Sequence, residues 1–406
     1  MNKKIIILLT VFIDVLGIGI IIPILPFYVQ SFGASAFIVT LLFTVFSFFA
    51  FFSAPFLGAL SDKIGRRPVL IFSILSTSIG WLVFAAANSI FLLFLGRIID
   101  GLAAGNFPIA QSYLIDISKD DKERTANLGL IGAIFGVGFI IGPLIGGLLS
   151  TISLSFPFWF VGGLAFLNFV LAYFNLPETN QNKNVDKRVQ LNPLKPLIRS
   201  LKNPNLRVGF IAWFLFGLAI ASQQSTFSLY LNERFNFTSV MVGFMTAGMG
   251  LVLIFNQGFA LKKIWLKYFS EEFLSIWLML VLTIGFLFMG ISYLVPFIIG
   301  VVGISLGQSV LRAVMTSRII KKGEKHEQGM ILGMMNSVMS LSMIIGPLLA
   351  GALFGIKSSL PYLAASAFGA IAFILLFLDA KKSKAEISQL SETDLIIEEQ
   401  QVDLIS

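Results

Sequence analysis

Four ionisable side chains stand inside stretches of sequence that are otherwise almost wholly apolar: Asp14, Arg97, Asp100 and Arg312. A charged group in a hydrocarbon layer costs roughly 2.5–3.5 kcal/mol even on insertion scales, so each residue that stays there needs a reason. Counted at ~1.5 Å of rise per residue, Asp14 lies ~14 Å and Asp100 ~17 Å from the nearer end of its apolar run. In a layer ~30 Å thick both carboxyl groups fall near the middle. Arg97 stands three residues before Asp100, on the same helical face. It can hold that carboxylate ionised or, drawn elsewhere, leave it to take up a proton. A carboxyl that alternates between a low-dielectric cavity and a cationic neighbour has the two proton affinities that proton coupling requires. Structural alternatives exist for each. Arg97 and Asp100 can form a static packing pair, Asp14 can be kept protonated or hydrogen-bonded by Ser and Thr neighbours, and Arg312, about one and a half turns before Arg318, can reach up to the membrane surface.

Composition identifies what must carry these groups. The chain has 406 residues, 56% of them hydrophobic and 12% charged, with 42 Phe, 36 Gly and no Cys. A soluble domain carries roughly 25% charged residues, about twice this share. Mean hydropathy is +0.89. Apolar runs about 20 residues long point to membrane-crossing helices, since barrel strands alternate over about 10 residues. Without cysteine there is no disulfide, thiolate nucleophile, iron–sulfur cluster or Cys-ligated zinc. The single histidine, His326, has no second histidine to share a metal with. No GxxxxGK[ST] phosphate loop occurs, so any work must draw on a gradient or a partner. No enzymatic activity, metal or cofactor is expected. The net charge of +8 sits in short loops rather than on one solvated face, which argues against nucleic acid.

Apolar runs between charged or Pro/Gly-marked breaks predict twelve spans, at about 5–29, 37–60, 69–87, 89–113, 125–149, 157–176, 208–231, 238–261, 273–292, 295–317, 328–355 and 361–379. The first is a full span containing Asp14 and lacks an AxA-like site, so it reads as a retained helix rather than a cleaved signal. An even number puts both termini on one side. Apart from Arg97 and Arg312, the breaks on that side and the two tails hold 25 of the 29 Lys and Arg, against Arg234 and Lys357 on the other. That bias predicts cytoplasmic termini.

The one long polar connection, 177–207, is rich in Asn, Lys and Pro and divides the spans six and six. It reads as a cytoplasmic linker between an N-terminal bundle, 1–176, and a C-terminal bundle, 208–379. The halves resemble each other: ERTANLGLIGAIFGVGFIIGPLIGG (123–147) aligns with EQGMILGMMNSVMSLSMIIGPLLAG (327–351), as expected of a parallel repeat of six helices. After Ala380 the chain turns acidic, with Glu392, Asp394, Glu398, Glu399 and Asp403, and is expected to be a flexible cytoplasmic tail.

In the fifth span Gly138, Gly142 and Gly146 recur every fourth residue, making a groove for close backbone packing. Pro143 removes one backbone hydrogen bond and predicts a bend. A contact of this kind between the two bundles is where a rocking motion would pivot.

These residues resemble the major facilitator superfamily, in its drug/proton antiporter branch, and most nearly the tetracycline-efflux-like proteins, over residues ~5–379. The resemblance rests on several segments: GALSDKIGRRPVL (58–70), GVGFIIGPLIGG (136–147), DVLGIGIIIPILP (14–26), FLGRIIDGLAAGNF (94–107) and LPET (176–179). It implies an all-α membrane fold of twelve helices in two six-helix bundles. It also implies a cytoplasmic gate at Gly58, Asp62, Gly65, Arg66 and Arg67, with Asp116 as partner to Arg66. From the residues alone, that segment is equally a topology anchor, with Gly65 for a tight turn and three basic residues holding the loop inside.

The resemblance further implies coupling roles for Asp14 and Arg97, and an antiporter motif at Gly138, Gly142, Pro143, Gly146 and Gly147 that favours export. In this fold helices 1, 4, 7 and 10 line the central cavity. All four embedded charges fall on spans 1, 4 and 10, with Gln223, Gln224 and Gln308 on spans 7 and 10 as further cavity groups. Two departures stand out. Spans 3 and 9 lack the acidic residues of the tetracycline proteins, which argues against tetracycline itself, and GFALKKIWLKYFS (258–270) is a decayed copy of the gate motif, so the second half is expected to lack a charged latch.

The expected function is proton-coupled efflux of an amphipathic small molecule, by a protein embedded in lipid in the bacterial inner membrane and working as a monomer. Export of an endogenous metabolite such as a siderophore, uptake of a nutrient by proton symport, and a non-transporting sensor acting through the acidic tail are the competing readings.

Overall fold

A computed structural model describes residues 3–180, 203–323 and 327–403. Among the described residues, twelve helices are long and apolar enough to cross a membrane: α1 (Lys3–Gln30), α2 (Ala36–Ile64), α3 (Arg66–Ala85), α4 (Ile90–Asp116), α5 (Asp121–Leu149), α6 (Phe156–Asn175), α7 (Leu206–Phe235), α8 (Ser239–Tyr268), α9 (Glu271–Gly290), α10 (Leu294–Lys321), α11 (Gln328–Ile356) and α12 (Leu360–Lys382). No strand occurs among the described residues. Most of the expected linker and His326 lie outside the described residues.

Local chemistry explains the boundaries. Asp120 Oδ1 accepts from the Glu123 N–H at 2.7 Å while Glu123 Oε2 accepts from the Lys119 N–H at 2.9 Å, two acidic side chains satisfying orphan donors at the start of α5. Between α2 and α3 the chain turns on Gly65, whose φ of 121° lies where a side chain would be strained. Two elements differ from the sequence expectation. α8 runs on through 258–268, because a π-helical stretch, Asn256–Trp265, absorbs the break. There Asn256 donates to Leu306 O and Ser309 Oγ of α10, and the Trp265 indole N–H donates to Asn256 Oδ1 at 3.2 Å. The last helix likewise keeps helical backbone to Asp403, where a flexible tail was expected. The segment has neither Gly nor Pro, and Ala, Glu, Gln, Leu and Lys are strong helix formers.

The helices form two six-helix bundles. α1 packs on α5 and α6, and α3 on α4 and α6; in the second half α7 packs on α11 and α12, and α9 on α10 and α12. Between the bundles α2 lies against α11 and α5 against α8, with α1 touching α7. The internal repeat is visible as equivalent contacts. Gly142 on α5 faces Gly19 and Leu16 of α1, and Gly346 on α11 faces Leu218 and Ala221 of α7. Gly147 meets Val240 of α8, and Gly351 meets Thr40 of α2.

This corrects the expected role of the every-fourth glycine stripe. Gly138, Gly142 and Gly146 all pack on α1, inside their own bundle. The face turned to α8 carries Gly136, Phe139, Pro143 and Gly147, about 100° further round the helix. α5 stays continuous through Pro143. Phe139, the residue whose carbonyl loses its helical partner to that proline, turns its oxygen toward Gly250 of α8.

Among the described residues, three side-chain hydrogen bonds join the bundles: Ser150 Oγ to Ser239 Oγ at 2.8 Å, Ser228 Oγ to Ile22 O at 2.6 Å, and Thr44 Oγ1 to Ile344 O at 3.1 Å. All three lie in the half of the molecule away from the termini.

Candidate functional site

The site is organised by an interruption in α4. Its first segment ends at Leu102 and its second begins at Asn106, so backbone groups are released at mid-depth. Neighbouring hydroxyls satisfy them, as a low-dielectric interior demands. Ser53 Oγ of α2 donates to Gly101 O at 2.6 Å and Ser76 Oγ of α3 donates to Ile99 O at 3.0 Å. The break also turns Asn106 inward. Its Nδ2 donates to Asp14 Oδ1 at 3.0 Å and to Thr77 Oγ1 at 3.1 Å, while its own Oδ1 is buried without a partner.

One segment earlier on α4, Arg97 Nη1 donates to Asp100 Oδ2 at 3.1 Å. Arg97 is 4% and Asp100 7% exposed, so the pair is almost wholly desolvated. The guanidinium is also held between aromatic faces, 4.3 Å from the Phe46 ring centre and 5.2 Å from that of Trp81. Its Nε has no acceptor. Asp14, Asp100, Thr77, Asn106, Trp81 and Arg97 surround a small cavity of about 150 Å³.

A larger cavity of about 380 Å³ lies between the bundles. Gln223, Gln224, Gln308 and Arg312 line it, as the family resemblance implies for spans 7 and 10, together with Phe43 and Phe46 of α2, Phe139 of α5 and Phe227 of α7. Arg312 lines this cavity with an exposed side chain. Arg97, Phe46, Ile18 and Ile21 line both cavities, so Arg97 stands in the wall between the carboxyl pocket and the central space.

The gate-motif residues come together on the face that carries the termini. Arg66 bridges two carboxylates, pairing with Asp62 and reaching Asp116 Oδ2 at 3.2 Å, and its Nη1 donates to Ser61 Oγ at 2.7 Å. Arg67 donates to Leu176 O and Tyr173 O, each at 2.7 Å. Glu178 of the LPET segment accepts from the Arg66 N–H at 2.8 Å and the Arg67 N–H at 3.2 Å, capping the start of α3. Asn180 donates to Asp62 O at 2.8 Å. Gly58 contributes no close approach, since a Cβ there would meet nothing within 4 Å.

The expectation that the second half lacks a charged latch is overturned. Asp379 of α12 pairs with Arg318 at 3.4 Å and Lys322 at 2.7 Å, and Glu271 of α9 pairs with Lys321 at 2.8 Å. The clamp is built from residues outside the decayed motif, at helix ends that only packing brings together. Sequence reasoning also missed Asn106, Thr77 and Glu178. A polar residue immediately after the Gly101–Gly105 break, and an acidic one directly after span 6, were the available signals.

Paired six-helix bundles around a midplane cavity, with buried carboxyls beside it, define an integral membrane transporter and not an enzyme. The Major Facilitator Superfamily profile matches residues 7–319 and 263–400, and the chain belongs to that superfamily. It is 30% identical over 375 residues to the class B tetracycline resistance protein of Escherichia coli, covering 89% of this chain and 90% of that one. It is 28% identical over 398 residues to the quinolone resistance protein NorA of Staphylococcus aureus, covering 96% and 99%. Among solved structures it is similar to the human organic anion transporter MFSD10, with a TM-score of 0.68 at 22% identity over 92% of this chain and 98% of that one. It is also similar to a point mutant of the nucleoside transporter NupG, with a TM-score of 0.76 at 14% identity over 93% and 100%. At such identities the structural likeness bears on the fold alone.

Proposed function

We propose that this transporter is a proton-coupled antiporter that exports an amphipathic small molecule by alternating access. The observation that carries the reading is the position of Arg97, lining both the pocket of Asp14 and Asp100 and the central cavity between the bundles. A proton taken up by Asp100 removes the charge that holds Arg97, and the freed guanidinium changes the potential felt in the larger cavity. Asp14, linked through Asn106 to the break in α4, senses the same movement. Proton uptake and substrate occupancy then share one wall.

The excess of Lys and Arg on the terminal face supports cytoplasmic termini, and with bacterial relatives an inner-membrane location. In that orientation the cross-bundle hydrogen bonds lie on the outer side, and the cavity is poised to load from the cytoplasm. Protons returning down an inward-negative potential add about 2.3 kcal/mol per charge per 100 mV. The drug-resistance relatives support export, and a single chain contains both bundles, which supports a working monomer.

The test begins with a growth screen of expressing cells against toxic compounds, followed by transport in vesicles with a compound that scores. Asp14→Asn or Asp100→Asn is expected to abolish flux driven by a pH gradient while leaving substrate counterflow largely intact. Full gradient-driven flux in the double variant would remove both carboxyls from the mechanism.

A further inference from the structure

We propose that the central cavity takes a carboxylate-bearing amphipathic substrate, an organic acid on an aromatic body, with Arg312 as its anchoring cation. This deepens the transport reading above, on which it rests, by naming the chemical class that the same cavity accepts.

Every other embedded charge is answered by a protein group. Arg97 has Asp100 and two ring faces, and Asp14 has Asn106. Arg312 lines the cavity and its guanidinium makes no hydrogen bond or ion pair to any described residue. Its side chain is exposed to the cavity, so its five N–H donors are open to a ligand there. Their planar fork matches a carboxylate bidentately, a match that a lysine ammonium does not offer.

The lining as a whole favours the same sign. None of the described residues around the larger cavity is acidic, and of its two basic ones Arg97 is already paired with Asp100, which leaves Arg312. A cationic solute would find no counter-charge in this wall, while an anion finds one already free. A second polar group marks the orientation. Gln308 stands one turn before Arg312 on the same face of α10, and its Oε1 is buried with no donor. It calls for an N–H or O–H on the ligand close to the acid. Across the seam, Phe43 and Phe46 of α2 and Phe139 of α5 supply apolar surface for a ring. At about 380 Å³ the chamber falls within the range of drug-sized ligand sites.

The test uses dansylglycine, which has a naphthalene ring, a sulfonamide N–H and a carboxylate, beside its neutral amide and the cationic dansylcadaverine. Equilibrium fluorescence titration of the full chain in detergent needs no ion gradient. The acid is expected to bind at least ten-fold more tightly than the amide or the cation. Arg312→Gln should lower affinity for the acid ten-fold or more while changing that for the amide less than two-fold, and Arg312→Lys should recover part of the preference. Unchanged amide binding certifies a folded variant. If Arg312→Gln does not fold, the three-probe comparison on the native chain decides alone. Equal binding of acid and amide, tighter binding of the cation, no saturable binding of the acid, or an acid preference that survives Arg312→Gln would each overturn the proposal. A chain that binds the acid through Arg312 but moves it without proton coupling would refute the antiport reading and leave the substrate class standing.

Discussion

Asn106 Nδ2 lies 3.0 Å from Asp14 Oδ1, so the carboxyl of α1 is tied to the first residue after the interruption of α4. Neither residue has a neighbouring partner in sequence, and the bond exists only because α1 and the broken α4 meet at mid-depth. Leaving a buried acceptor without its hydrogen bond costs about 1–3 kcal/mol. Asn106→Leu should therefore reduce gradient-driven transport by about ten-fold or more, whereas Asn106→Gln should retain part of it. Initial rates in vesicles at a fixed pH gradient check this, and wild-type rates in the leucine variant would detach Asn106 from coupling.

Arg97 and Asp100 form a desolvated pair, and removing one member leaves the other uncompensated. Breaking such a pair costs roughly 3–5 kcal/mol, while replacing both members can be close to neutral. Arg97→Gln is expected to lower the thermal midpoint of the purified protein clearly, and Arg97→Gln combined with Asp100→Asn to recover most of that loss without recovering proton-driven flux. Thermal melts of the three variants separate the structural role from the functional one. Additive losses would show that the two side chains do not act as a unit.

Ser150 and Ser239 face each other across the bundle seam with their hydroxyl oxygens 2.8 Å apart, in a chain that has no native cysteine. Replacing both with Cys and oxidising should staple α5 to α8 on the side away from the termini. Transport should then fall at least ten-fold and return on reduction. Undiminished flux in the cross-linked protein would mean that this seam never opens during the cycle.

Glu178 caps α3 by accepting from the Arg66 and Arg67 N–H groups. Loss of a capping side chain costs about 1 kcal/mol. Glu178→Ala should lower the thermal midpoint modestly and slow transport while leaving substrate affinity unchanged, since the cap is remote from both cavities. A change in affinity equal to the change in rate would refute a role confined to the cap.

At Gly142 an added methyl would lie 2.9 Å from Gly19 Cα and from Leu16 O. Both are backbone atoms and cannot swing aside. Gly142→Leu should cost about 1–3 kcal/mol or more through overpacking, read as a lower thermal midpoint. Tolerance of leucine there would show that α1 and α5 can separate.

Much of this was legible in one dimension. Apolar runs long enough to cross a bilayer have few alternatives to helix, so twelve spans, their even number and the aligned repeats followed from hydropathy alone. Asp14, Arg97, Asp100 and Arg312 were conspicuous because a charge in hydrocarbon is costly wherever it is placed. The expectation of sidedness rests on the loops, where Lys and Arg gather on one face.

Partnership was a different matter, because it depends on which helix faces meet. The glycines at 138, 142 and 146 announce a close contact but not whether α1 or α8 fills it, since a stripe of small residues accepts any helix of suitable shape. Asn106 stood inside the fourth span with no assigned role until packing turned it onto Asp14. Asp379 and Arg318 lie far apart in the chain and in no shared motif, so their clamp is a product of α10 and α12 being neighbours. Hydropathy and charge act locally and are written residue by residue. Which charges are answered, and which one, Arg312, is left facing the cavity, was decided only when the twelve helices packed.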